Sequence, residues 1–189
     1  MRVYKIELDV NQCQYFLVKD KSLLRSELLK FDGTKMGAAW RPPAVYYSYQ
    51  PQLKPCDFWS FPTSAAFATP LRVTKDLELF LSIAGEVLPL PYKGEQFSVL
   101  NVTECVNCLD EQRGEWVYGK KTGEPIRIAK YAFHRDRMPE SSIFKIPQTA
   151  QADILCYEGL KDPVDEFKPT VEKRGLTGIK FRELWQSDA

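Results

Sequence analysis

Two apolar runs, residues 86–90 and 97–102, flank Tyr92-Lys93-Gly94-Glu95, and the other elements can be placed around them. Gly94 sits where a tight reversal needs positive φ, so the pattern predicts an antiparallel hairpin. In the second run Phe97, Val99 and Asn101 share one face, and Ser98, Leu100 and Val102 share the other. Apolar residues on both faces predict a central strand covered on two sides. Pro89 and Pro91 cannot donate to a ladder, which predicts that the first strand lies at an edge or carries a bulge.

The same alternation marks other strands. Residues 2–10 place Tyr4, Ile6 and Leu8 opposite Lys5, Glu7 and Asp9, a half-buried strand. Further strands are predicted at 15–18, 44–49 (Val45, Tyr47 and Tyr49 facing one way), 115–118, 125–133, 143–146, 154–157 and 179–185. A helical period appears at 21–31. It is clearest at 75–84, where Thr74 reads as N-cap, Leu77, Phe80, Leu81 and Ala84 as the buried stripe, and Gly85 as the stop. A last helix at 164–174 ends at Gly175, with Pro169 in its first turn or kinking it. Residues 51–69, crowded with prolines, read as extended and irregular. Many strands with a few helices predict an α+β fold with a largely antiparallel sheet and about three helices.

At 189 residues the chain is long enough for one domain, residues 1–189, that buries roughly 70% of its unfolded surface. A net charge of +1 excludes a global field selecting nucleic acid or an acidic membrane. Charges interrupt the first residues where a secretory signal needs an apolar core, and no apolar run approaches the ~20 residues of a membrane span. Five cysteines, an odd number in a chain of this size, read as reduced thiols, so a soluble cytoplasmic protein is expected.

Candidate chemistry is sparse. Cys105-Val106-Asn107-Cys108 has the spacing of a metal knuckle but no second pair, and it runs into a turn rather than a helix, so neither metal nor cofactor is expected. His134 is the only histidine. A small hydrolase or transferase would have to use it with a cysteine or carboxylate partner, and this is the alternative to a non-enzymatic binding protein. Charge is uneven along the chain. Residues 119–137 carry Lys120, Lys121, Arg127, Lys130, Arg135 and Arg137 against Glu124 and Asp136. Residues 158–172 carry Glu158, Asp162, Asp165, Glu166 and Glu172 against Lys161 and Lys168. Either stretch can steer a charged partner. Binding to nucleic acid through the basic stretch is a third, less favoured reading. Between Trp40 and Phe61 the chain is dense in aromatics, the side chains that anchor interfaces. Arg41, Tyr46 and Trp59 are expected to reach the surface there. Together with Lys120, Lys121, Arg135, Asp162, Asp165 and Glu166 they make up the candidate partner-binding set.

Met1-Arg2-Val3-Tyr4, Trp40-Arg41-Pro42-Pro43, Asn101-Val102-Thr103, Ile143-Phe144-Lys145-Ile146-Pro147 and Gly175-Leu176-Thr177-Gly178, followed by Phe181 and Trp185, carry a resemblance that spans nearly the whole chain. They resemble an immunity protein family, the eleventh of bacterial polymorphic-toxin systems and formerly a domain of unknown function. That family usually lacks cysteines at the positions of Cys105 and Cys108, and Pro169 departs from its uninterrupted last helix. The resemblance implies a protein that protects the producing cell by binding and blocking a cognate toxin domain. It supplies no catalytic residue, no cofactor and no interface residue.

Overall fold

The computed structural model describes residues 1–48 and 50–187. Among them are twelve strands and three α-helices. Strands β1 (Arg2–Leu8), β10 (Ile143–Phe144), β11 (Leu155–Glu158) and β12 (Ile179–Gln186) form a sheet in the order β10-β11-β1-β12. Strands β4 (Trp59–Phe61), β5 (Thr63–Pro70), β6 (Gly85–Tyr92) and β7 (Glu95–Val102) form a second, ordered β4-β5-β7-β6. Strands β2 (Phe16–Val18) and β3 (Val45–Tyr47) pair with each other, as do β8 (Glu115–Tyr118) and β9 (Pro125–Lys130). The pairs within these four sheets are antiparallel. Helices α1 (Leu71–Asp76), α2 (Glu78–Ala84) and α3 (Phe167–Lys173) complete an α+β fold.

The β6–β7 hairpin is where the alternation placed it. Its turn residues Lys93 and Gly94 both have positive φ, +49° and +82°. Strand β7 is buried from Phe97 to Val102, because each face feeds a different core. Phe97 and Val99 pack with Leu88, Leu90, Phe16 and Trp59. Leu100 and Val102 pack with Phe67, Leu77, Leu81 and Phe167. A third core gathers Val3, Phe133, Phe144, Leu155 and Tyr157 against the root of the β8–β9 hairpin at Trp116 and Ile128. Strand β6 is the edge that its prolines require, and Trp40 covers it by donating its indole N–H to the Pro89 carbonyl at 2.9 Å.

Several elements differ from the sequence pattern. Residues 21–31 form two 3-10 turns, Lys21–Arg25 and Glu27–Leu29, rather than one helix. The helix expected at 75–84 begins earlier, as α1 directly after Pro70, and breaks at Leu77. Thr74 therefore caps nothing: its buried hydroxyl meets Thr69 at 2.9 Å and donates to the Pro70 carbonyl. The expected stripe of Leu77, Phe80, Leu81 and Ala84 is nonetheless the buried one. The stretch read as irregular contains β4 and β5, whose small Ala65, Ala66 and Ala68 pack closely beneath bulkier neighbours. Pro169 occupies the first turn of α3, where its missing N–H costs nothing. Of the strand expected at 44–49, β3 is its first part; Tyr49 lies outside the described residues. Cys13 and Cys56, expected as thiols, are joined in a disulfide.

The motifs that carry the family resemblance hold these pieces together. Asn101, fully buried, donates to the Thr34 carbonyl and to Glu86, which also accepts the Met36 and Gly37 amides. Lys145, also fully buried, donates to the carbonyls of Phe31 and Ala65 at 2.6 and 2.9 Å, and burial depresses its pKa to about 8. The Asp57 carboxylate accepts from both the amide and the hydroxyl of Thr177 at 2.8 Å and pairs with Arg72. Gly178 has φ +92°, and a Cβ there would lie 2.3 Å from the Phe58 carbonyl oxygen, so only glycine fits. These residues are structural staples.

Candidate partner-binding surface

Of the residues proposed from sequence, Trp59 is a correction. It is 5% exposed, stacks on Phe16 at 5.0 Å and donates its indole N–H to the Cys56 carbonyl at 2.7 Å. The alternation of β4 turns it inward, onto Phe97 and Tyr47. Glu166 is a second correction, at 2% exposure. Its carboxylate accepts the amides of Gly159, Leu160 and Lys161 at 2.8–3.1 Å and so anchors the loop before α3. Neither side chain is presented to a partner.

Arg41, Tyr46, Lys120, Lys121, Arg135, Asp162 and Asp165 are exposed. They do not converge on one site. Arg41 donates to the carbonyls of Ala38 and Trp40 and works locally. Tyr46 lines a groove of about 580 Å3 with Tyr47, Tyr92, Lys19 and Lys93, whose ammonium lies 5.2 Å from the Tyr47 ring centre. Asp165 lines a smaller groove of about 180 Å3 against α2, where Leu79 and Ile83 stand 60% and 47% exposed. Asp162 caps the turn there by accepting the Val164 amide.

The β8–β9 hairpin holds the basic stretch. At its root Trp116 is half-buried and Ile128 is buried in the third core. By strand alternation Tyr118 shares the Trp116 side, yet it is 57% exposed, and Ile126 is 68% exposed. A register shift between Val117 and Tyr118 puts Ile126 at a bulge, and Gly123 closes the tip with φ +68°. Lys130 pairs with Glu115 at 3.4 Å, whereas Lys120, Lys121 and Arg127 have no ion pair among the described residues. Beneath the hairpin runs a cleft of about 590 Å3, walled by β9 on one side and by Lys5, Arg182 and Leu184 of the β1–β12 sheet on the other.

Burial sets the environment of the free thiols that suggested chemistry. Cys108 is fully buried and its thiol is pushed up to about 12 by burial; burial also raises Cys105 and Cys156. His134 lies with Nδ1 3.8 Å from an Asp110 oxygen, beyond hydrogen-bond reach. The other oxygen of that carboxylate is occupied by the Gln112 and Arg113 amides. No group of three or more His, Cys, Asp or Glu among the described residues is arranged around a metal position. No described helix is long and apolar enough to cross a membrane.

The exposed apolar residues Tyr118, Ile126, Leu79 and Ile83 escaped the sequence reading. Leu79 and Ile83 are spaced i,i+4 just off the buried stripe of α2, a signal that was available. Tyr118 and Ile126 carry the alternation of the hairpin root onward, which reads as buried until one knows that the body ends beneath it.

No curated protein matches the chain. The model of the immunity protein family (Imm11) matches residues 90–186, which is just over half of the sequence. The match runs from β6 through β12 and takes in the staples Asn101, Lys145 and Thr177, the hairpin and the acidic loop. The chain belongs to the Imm11 immunity protein family.

Proposed function

We propose that this protein neutralises a cognate toxin domain by direct, non-enzymatic contact, acting in the cytoplasm of the producing cell as one unit over residues 1–189. Family membership carries this reading. Two features support it: burial leaves the free thiols protonated, and the exposed residues free of internal work are of interface type. The sharing of β7 between two cores supports treating the chain as one unit. Arg41, Tyr46, Lys120, Lys121, Arg135, Asp162 and Asp165 remain the contact candidates from the original set.

Co-expression tests the reading. Cells producing the toxin domain encoded beside this chain should survive when the chain is present and die when it is absent, and the two proteins should co-purify. His134→Ala should protect as well as wild type; loss of protection with binding intact would instead favour the enzymatic alternative. The cytoplasmic assignment has its own readout in the Cys13–Cys56 bridge. In a reducing compartment, protein trapped with a thiol reagent should show five reactive cysteines after denaturation, and three would place its maturation in an oxidising one.

A further inference from the structure

We infer that the β8–β9 hairpin is a grasping arm whose underside and cleft receive an acidic loop of the toxin domain carrying an apolar side chain. This rests on the toxin-binding reading above and names the partner's chemistry at one surface.

The arm is built like a sheet face that has lost its cover. Trp116 and Ile128 bury the root, and Tyr118 and Ile126 extend the apolar character past the edge of the body. Exposed apolar side chains cost free energy in water that burial against a partner would recover. Among the described residues nothing covers this pair, at 57% and 68% exposure. The body supplies an opposing wall, so a partner segment lying in the cleft meets the arm above and the sheet below.

Charge selects an acidic occupant. On the body wall Lys5 already pairs with Asp153 at 2.5 Å and Arg182 with Glu7 at 2.6 Å. Glu183 has Arg2 at 3.9 Å. The acids bordering the cleft are therefore answered from within the chain. Arg127, which lines the cleft, and Lys120 and Lys121, which follow Tyr118 at the turn of the hairpin, have no such answer among the described residues. Carboxylates satisfy them, and an apolar side chain beside those carboxylates covers Tyr118 and Ile126. Nucleic acid fits less well. Bases need a row of free rings, but Tyr131 in the cleft wall already stacks on Phe133 at 6.0 Å, leaving Tyr118. The groove against α2 is smaller, and its residues are partly engaged, with Lys161 donating to the Glu140 carbonyl and Asp162 capping its own turn.

Binding kinetics against the toxin domain encoded beside this chain test the inference. Reversing the charges together (Lys120→Glu, Lys121→Glu, Arg127→Glu) should slow association about 10-fold or more at low salt and leave it near wild type at high salt. Truncating the apolar pair (Tyr118→Ala with Ile126→Ala) should speed dissociation about 30-fold. These side chains are exposed, so the melting temperature should hold. A photo-crosslinker placed at exposed Thr122 reads the same contact without touching either group, and it should attach to a segment of the toxin rich in Asp or Glu. Wild-type rates in both variants, with crosslinks absent, would remove the arm while leaving toxin binding in place. Failure of the wild-type protein to bind the toxin domain would remove both readings. Arm variants that bind toxin normally but lose salt-sensitive binding to a 20-nucleotide RNA would overturn the acidic-loop inference in favour of nucleic acid.

Discussion

Residues 40–61 and 115–130 pose the same puzzle and resolve it in opposite ways. Both are rich in aromatic and β-favouring side chains next to turns. In the first, Trp40, Phe58, Trp59 and Phe61 are all buried: short strands and loops fold over them, and the Cys13–Cys56 bridge ties the segment to the chain just past the turn that follows β1. In the second, only the root is covered, and Tyr118 and Ile126 stand in solvent. Aromatic density therefore does not mark an interface. What marks it is a continuing apolar pattern beyond the point where the chain has anything left to lay over it.

The comparison can be tested from its inward side first. Trp59→Ala should destabilise the protein by about 4 kcal/mol, the range for a large buried aromatic, as read by denaturant melts. Any loss of toxin binding should then track the unfolded fraction. A Trp59→Ala protein that melts normally but binds poorly would make residues 40–61 the contact surface after all.

Opening the bridge should have a comparable effect. It closes a loop spanning 43 positions, so the chain-entropy estimate is about 4 kcal/mol, and Cys56→Ser should lower the denaturant midpoint accordingly. The melts of oxidised and reduced wild type should differ in the same direction. Coincident melts would mean that the bridge constrains nothing.

On the outward side the effects should move from stability to affinity. Tyr118→Ala together with Ile126→Ala should change stability by less than about 0.5 kcal/mol and weaken toxin binding by about 2 kcal/mol. The reverse pattern would show that the arm's apolar face serves the fold.

The smallest effect concerns Lys145. Its pKa is about 8 in the fold, against 10.5 for the free side chain, so unfolding takes up a proton between those values. Stability therefore rises with pH across that window. Relative to Lys145→Met, wild type should gain about 1 kcal/mol from pH 7 to pH 9. A difference that is flat or falls with pH would mean that the ammonium is not penalised by burial.

How much of this the sequence discloses depends on how local each cause is. The β6–β7 hairpin is legible because alternation, two prolines and one glycine are all neighbours in the chain. Strand β5 is not, because alanine-rich strands owe their place to the bulky residues above them. The inward turn of Trp59 depends on Phe16 and Phe97, each about forty positions away. Glu166 looked like a solvated acid in a charged stretch, and only the turn at Gly159, with φ +93°, brings three amides to its carboxylate. The bridge has no local signature at all. In the candidate surface, the charges of the arm were readable from composition, but the exposure of Tyr118 and Ile126 was not, since it reflects where the body stops.

Hydrogen–deuterium exchange of the protein alone and with its toxin domain tests the central claim most directly. The account predicts added protection concentrated in residues 116–128 and along the facing cleft wall, with Phe58, Trp59 and Phe61 unchanged because they are already buried. Unchanged exchange at 116–128, with new protection on a different surface, would contradict it.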